Sequence, residues 1–216
     1  MGTSRQESFL STGRQNQKLR TREALLDAAV ALSRDGQSPT IAQVAEAAKV
    51  SLATAHRYFP NRQSLWADVA TREASSSYPG FLADLPDDPE ERIDAVVREV
   101  ARFQFADEVV WRNVQRASID RWFTQLELPE AERVPVRGSA RLDMARAALA
   151  PLRDRLPPER LERLIQAVVL VFGGEAMVAT RDSLGLEPDQ ATEVMSWAAK
   201  ALIRAALAEH ADADNT

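Results

Sequence analysis

The chain has no cysteine, only three lysines, two histidines and eight glycines, and aromatic residues make up 6% of it. Each shortage excludes something. Without thiols there is no disulfide scaffold, no thiolate nucleophile and no cysteine-bound metal. His56 and His210 stand far apart in the sequence, so no zinc site is expected, nor any cofactor. Few glycines, aromatics and β-branched residues argue against a mostly β fold. No run of about 18 uncharged apolar residues is present, so no membrane span is expected. The opening MGTSRQESFLSTGRQNQKLR lacks the apolar stretch of a secretory signal, and the expectation is a cytoplasmic protein. No nucleophile elbow surrounds a serine, and Gly173-Gly174 lies inside an apolar run rather than after a strand. No enzyme is expected.

Ala, Leu, Arg and Glu dominate the remainder, all good helix formers, and the reading is all-α. At 216 residues, 45% of them hydrophobic, the chain can bury a sizeable core. The net charge of −5 hides an asymmetry. Residues 1–72 carry 10 Lys/Arg against 6 Asp/Glu, and residues 73–216 carry 17 against 26. A basic end on an acidic body points either to contact with a polyanion or to a solvated basic tail.

Residues 1–17 show no apolar period and read as a flexible basic tail. A first helix is expected at 18–34, where Leu25, Ala28, Ala29 and Leu32 form one stripe. Asp35-Gly36 ends it. Thr40-Ile41-Ala42-Gln43 matches a capping box, and Ile41, Val44, Ala45 and Ala48 repeat the stripe over a short second helix. Ser51 caps a third helix at 52–59, Pro60 stops it, and Asn61 caps a fourth carrying Leu65, Trp66 and Val69. Two short helices joined by a tight turn make a helix-turn-helix, whose second helix can enter a DNA major groove. The Ser, Pro and Gly of 75–89 mark a linker. Helical patterns resume at about 90–106, 108–124, 136–153, 158–183 and 188–209. This divides the chain into a tail (1–17), a helix-turn-helix domain (18–72), a helical body (73–210) and a polar tail (211–216).

The stretch TIAQVAEAAKVSLATAHRYFPNRQSLW at 40–66 resembles the DNA-binding domain of the tetracycline-repressor (TetR) family. Val44-Ala45, Ala48, Val50-Ser51, Thr54, Tyr58-Phe59 and Leu65 match the family pattern in order. Lys49 stands where the family has Gly, a position that calls for a left-handed backbone. Ala53, His56 and Arg62 replace Gly, Tyr and Lys. The resemblance implies a three-helix DNA-binding head on a helical ligand-binding and dimerisation body.

It also implies DNA contacts. Ser51, Leu52, Ala53, Thr54, His56 and Tyr58 would face the groove or its phosphates, with Thr40, Ala42 and Gln43 beside the backbone. The Gln43 amide has two possible uses, the capping box and adenine, and the box is preferred. Arg62 would hold a phosphate, and Lys18, Arg20 and Arg22 would follow the DNA backbone or reach a minor groove. Arg57 would meet either DNA or an acid. Phe59 reads as core.

In the body, the run 167–179 is apolar nearly all round and reads as a buried helix. Phe103, Trp111, Val114, Trp122, Met144 and Phe172 are candidate walls of a pocket for a bulky, mostly apolar molecule, though such residues also fill plain cores. Glu175 interrupts the run. It is either a polar anchor in that pocket or half of a structural ion pair with Arg116, Arg121 or Arg181. In the family the last two long helices pair across a dimer. Here that surface would comprise Val168, Val171, Val178, Val194, Trp197, Ala198, Ala201, Leu202 and Ala205; the alternative is a monomer core. The resemblance implies a homodimeric repressor that binds an inverted repeat of double-stranded DNA and is released by a small-molecule effector. The rival readings are a helix-turn-helix used for protein interaction and an all-α enzyme.

Overall fold

A computed structural model describes residues 3–214, with side chains described outside 3–14, 74–79 and 213–214. Every regular element among them is helical. The first, α1 (Thr3–Arg34), is followed by the short pair α2 (Ile41–Ala47) and α3 (Leu52–Tyr58), then by α4 (Arg62–Ala83). The body comprises α5 (Pro89–Ala106), α6 (Glu108–Gln125), α7 (Ala140–Ala148), α8 (Pro158–Leu170), α9 (Gly174–Val178) and α10 (Pro188–Asp214).

Two hydrophobic cores form. In the head, the stripes of α1, α2 and α4 meet through Leu25, Leu26, Ala29, Ile41, Val44, Ala45, Leu65, Trp66 and Val69, with Ala55 and Phe59 closing from α3. Val110 and Ala117 of α6 complete this core, so a body helix plugs the head. The second core lies where α5 packs along α10 and α7 along α8, around Ile93, Val97, Leu149, Ile165, Val168, Phe172 and Ile203. The joint between them also carries polar contacts. Asn113 of α6 donates to Ser33 Oγ (2.8 Å) and accepts from Ser38 Oγ (2.6 Å), and Arg34 grips Asp107 through two bonds of 2.7 and 2.6 Å.

Four readings of the sequence need correction. First, α1 starts at Thr3, so most of the segment read as a tail continues the helix. Its Arg, Gln, Glu and Lys favour a helix yet leave no apolar stripe to detect. Second, α4 runs through most of the expected linker at 75–89, and only the stretch from Asp84 to Asp88 turns the chain. Phe81, Leu82 and Leu85 pack on the body core and hold that end in place. Third, the expected helix at 136–153 is shorter, with α7 followed by a 3-10 turn at Ala150–Leu152. Fourth, the run at 158–183 is not one helix. It breaks after Leu170, where Gly173 takes φ 88°, and ends in a π turn at Ala179–Ser183. Nor is it buried all round, since Leu170 is 77% exposed. By length and composition the stretch could cross a membrane. Here the break divides it, and Leu164, Ile165, Val168 and Phe172 pack into the body core.

Candidate functional site

The helix-turn-helix is set by its caps. Thr40 Oγ1 accepts from the Gln43 amide N (3.3 Å), and Gln43 Oε1 accepts from the Thr40 N (2.9 Å). The capping box therefore closes, and it engages the Gln43 carbonyl that a base would otherwise meet. Ser51 Oγ accepts from the Thr54 N (3.1 Å) and donates to Thr54 Oγ1 (2.9 Å). The turn between the helices is closed by Val50 N donating to Ala45 O (3.0 Å). Lys49 sits at φ 56°, the only described non-glycine residue with positive φ, in the conformation that the departure from Gly implies.

With Ile41, Val44, Ala45, Ala55 and Phe59 turned inward, the opposite face is fixed. It exposes Ala42 and Gln43 on α2, and Ser51, Leu52, Ala53, His56 and Arg57 at α3, while Thr54 and Tyr58 are half-buried at its edge. Phe59 is core, as its pattern implies. The Arg57 guanidinium lies 5.8 Å from the Tyr58 ring centre, a cation–π contact rather than an acid pair. Lys49 is exposed beside this face. It is absent from the expected contacts, although its position in the turn places a cation there.

The remaining basic residues divide. Lys18 and Arg20 are exposed on α1. Arg22 instead bonds Asp68 (2.8 Å) and fastens α1 to α4. Arg62 is turned into the joint. It donates to Ser38 Oγ at 2.5 Å, while its Nε is buried without a partner. Burial, helped by the nearby Arg116 charge, pulls its pKa below the ordinary value. Both are corrections to the expected phosphate contacts, and they have one cause. Arg22 finds an acid on α4 and Arg62 a hydroxyl in the loop between α1 and α2, partners that local sequence does not reveal.

The body holds a cavity of about 500 Å³ between α4, α5, α6, α7 and the Gly173–Gly174 break. Of the expected walls, Trp111, Val114, Met144 and Glu175 line it. Phe103, Trp122 and Phe172 do not. Phe103 stands edge-on behind Trp111 at 5.8 Å, Trp122 is 51% exposed on the outside, and Phe172 is wholly buried in the core. Glu175 both lines the cavity and is ion-paired. Its partners are Arg137 (2.7 Å) and Arg141 (2.5 Å), not Arg116, Arg121 or Arg181. Burial raises the Glu175 pKa, but the two guanidiniums outweigh it and hold the carboxyl below its usual value.

The α8 and α10 face carries exposed apolar side chains. Trp197 is 67% and Val194 44% exposed, with Ala205 also exposed and Val171, Val178, Ala198, Ala201 and Leu202 half-buried. Val168 departs from the expected surface and packs in the core, while Leu170 takes an exposed place.

No family model matches the sequence, and no curated protein matches it either. Solved structures do. A TetR transcriptional regulator from Rhodococcus sp. RHA1 has a TM-score of 0.60 at 16% identity, over 87% of this chain and 97% of that one. A TetR-family transcriptional regulator from Streptomyces coelicolor has a TM-score of 0.57 at 19% identity, over 88% of this chain and 83% of that one. The chain shares the all-helical fold of these regulators, head and body together.

Proposed function

We propose that the chain is a DNA-binding transcriptional regulator, a repressor that works as a homodimer on an inverted repeat and is released by a small molecule. The observation that carries this reading is the capped α2–α3 pair, whose outward face offers Ser51, Leu52, Ala53, His56 and Arg57 to a groove. The shared fold supports it. Two copies joined through the exposed Leu170, Val194 and Trp197 would set two such helices about 34–36 Å apart, one helical turn of DNA.

Helix α6 supports the response to an effector. Trp111 and Gln115 line the cavity, Val110 belongs to the head core, and Val114 and Ala117 between them touch both. A molecule that moves α6 moves the head. A differential affinity of about 1–3 kcal/mol for the two states changes DNA binding about 5- to 150-fold. The protein works in the cytoplasm, where its DNA is.

The test is selection of genomic fragments by the purified protein at two salt concentrations. One inverted repeat should emerge, bound more weakly at high salt as phosphate contacts release counterions. Thr54→Ala and His56→Ala should weaken binding without lowering the melting temperature. Binding that ignores salt would favour a protein-interaction module instead. Light scattering should give twice the 23.9 kDa chain mass, and Trp197→Asp should return the monomer.

A further inference from the structure

The cavity in the body has two unlike ends. Val100, Trp111, Val114 and Met144 make an apolar wall. Opposite them, Arg137 and Arg141 converge on Glu175, and Arg141 also donates to the Phe172 carbonyl at 3.1 Å. This end is built closely. A Cβ on Gly173 would stand 2.6 Å from the Arg141 Cδ, and one on Gly174 would stand 1.7 Å from the Gln115 Nε2. The two glycines thus let a guanidinium and an amide lie flat against the backbone. Burial, with the neighbouring Arg141 charge, pulls the Arg137 pKa below its ordinary value despite Glu175.

A third cation, Arg121, lines the same cavity and is half-buried. Among the described residues no acid, carbonyl or ring pairs with it. Against the three guanidiniums stand Glu175, whose two oxygens are both taken, and Asp143 at the exposed rim. An amine would have to displace two guanidiniums and would face Arg121. A neutral molecule would cover Arg121 and leave it unpaired, which is costly in a part-buried wall. An anionic head adds a charge-assisted bond where one is missing.

We propose that the cavity takes an amphiphilic anion, a carboxylate or phosphate head on an apolar body, with the head on Arg121 and Arg141 and the body against Trp111 and Met144. This rests on reading the cavity as the effector site. It replaces the mostly apolar effector implied by the sequence with one whose charge decides binding.

The experiment uses the full chain, titrated calorimetrically with decanoate, decyl phosphate, decanol and decylamine below their micellar concentrations. In parallel, the same four are added to the protein on its selected DNA, and release is followed by fluorescence anisotropy. An anionic probe should bind about tenfold or more tighter than decanol, with decylamine weakest. The better of the two anions identifies the head. Arg121→Gln should bring the anion down to the affinity of decanol while leaving decanol unchanged. Arg121→Lys should keep most of the preference, which separates lost charge from lost folding. Glu175→Gln, which removes the internal competitor, should tighten the anion.

Equal binding of all four, a preference for decylamine, or no binding by any of them overturns the proposal. The underlying reading fails differently. Charge-selective binding that never releases DNA leaves the anion site standing and removes its effector role. Release by decanol and decylamine alike keeps the effector role and removes the anion.

Discussion

The head and the body hold themselves together by different means. In the head, α2, α3 and α4 each begin on a side chain that bonds their first turn: Thr40, Ser51 and Asn61. In the body only α5 among α5 to α9 is capped in this way, by Asp88, and α6, α7, α8 and α9 start without a side-chain cap. The head core is filled by adjacent helices, whereas the body keeps a cavity and a broken helix at Gly173. A head whose elements are fixed locally moves as a unit. A body held by long-range packing has room to respond.

The sharpest test of this contrast is whether the two regions unfold separately. Val110 and Ala117 of α6 belong to the head core, so they should not. Trp66 is 1% exposed at the centre of the head. Trp66→Ala should cost about 3–5 kcal/mol in urea denaturation, as large aromatic truncations do. The loss should appear in one transition seen alike by far-ultraviolet circular dichroism and fluorescence. Two separated transitions would mean that α6 does not bind the regions into one folding unit.

A smaller effect belongs to the body alone. Asp94 of α5 accepts from Arg98 (2.8 Å), from the Ser196 hydroxyl and from Lys200 (3.1 Å), the last two on α10. Burial raises its pKa, but these three donors outweigh burial and hold it at about 2. Because the folded value lies below the unfolded one, the stabilisation is complete above about pH 4 and is lost as pH falls towards 2. It amounts to roughly 1–2 kcal/mol for a site this close to solvent. Asp94→Asn should lower the melting temperature at pH 7 and flatten its fall between pH 4 and 2. An unchanged pH profile would remove Asp94 from the acid sensitivity of the body.

The same division decides what could be read from the amino acids. Head signals are short-range. The stripes of Leu25 and Ile41, the Thr40–Gln43 box and the Ser51 and Asn61 caps all act within one or two turns, and the structure realises each. Body features depend on partners distant in sequence. Arg137 and Arg141 pair with Glu175 at one end of the cavity from distant parts of the chain, and no local pattern names them. The serines and Pro79-Gly80 suggest a linker, but packing of Phe81 and Leu82 carries α4 through them. At Gly173-Gly174 a signal was present: two glycines inside an apolar run mark a backbone approached closely by side chains. The inward turn of Arg62 could be known only once Ser38 and Asn113 were in place.

Next in size is a head cap. Thr40→Ala removes the hydroxyl that accepts from the Gln43 backbone N, leaves the bond from the Thr40 N to Gln43 Oε1, and should cost about 1 kcal/mol. Glu159 in the first turn of the uncapped α8 makes no such bond, and Glu159→Ala should change stability by less than about 0.5 kcal/mol in the same assay. Equal costs would erase the distinction between a locally fixed head and a body held by packing.

The smallest expected effect carries the most information about the head, because it has opposite signs in two measurements. Lys49 holds φ 56° with a Cβ, where glycine would be free of strain. Lys49→Gly should relieve about 1 kcal/mol of that cost, less what the more flexible unfolded chain gives back. The melting temperature should therefore rise by a few degrees at most. The substitution also removes an exposed cation beside α3. DNA affinity should fall, by more at low salt than at high, with a shallower salt dependence than the parent chain. A rise in stability with unchanged affinity would place Lys49 outside the DNA contact and leave its strain unexplained by binding. A fall in both would mean that the turn is fixed by its neighbours so firmly that the left-handed residue is not strained at all.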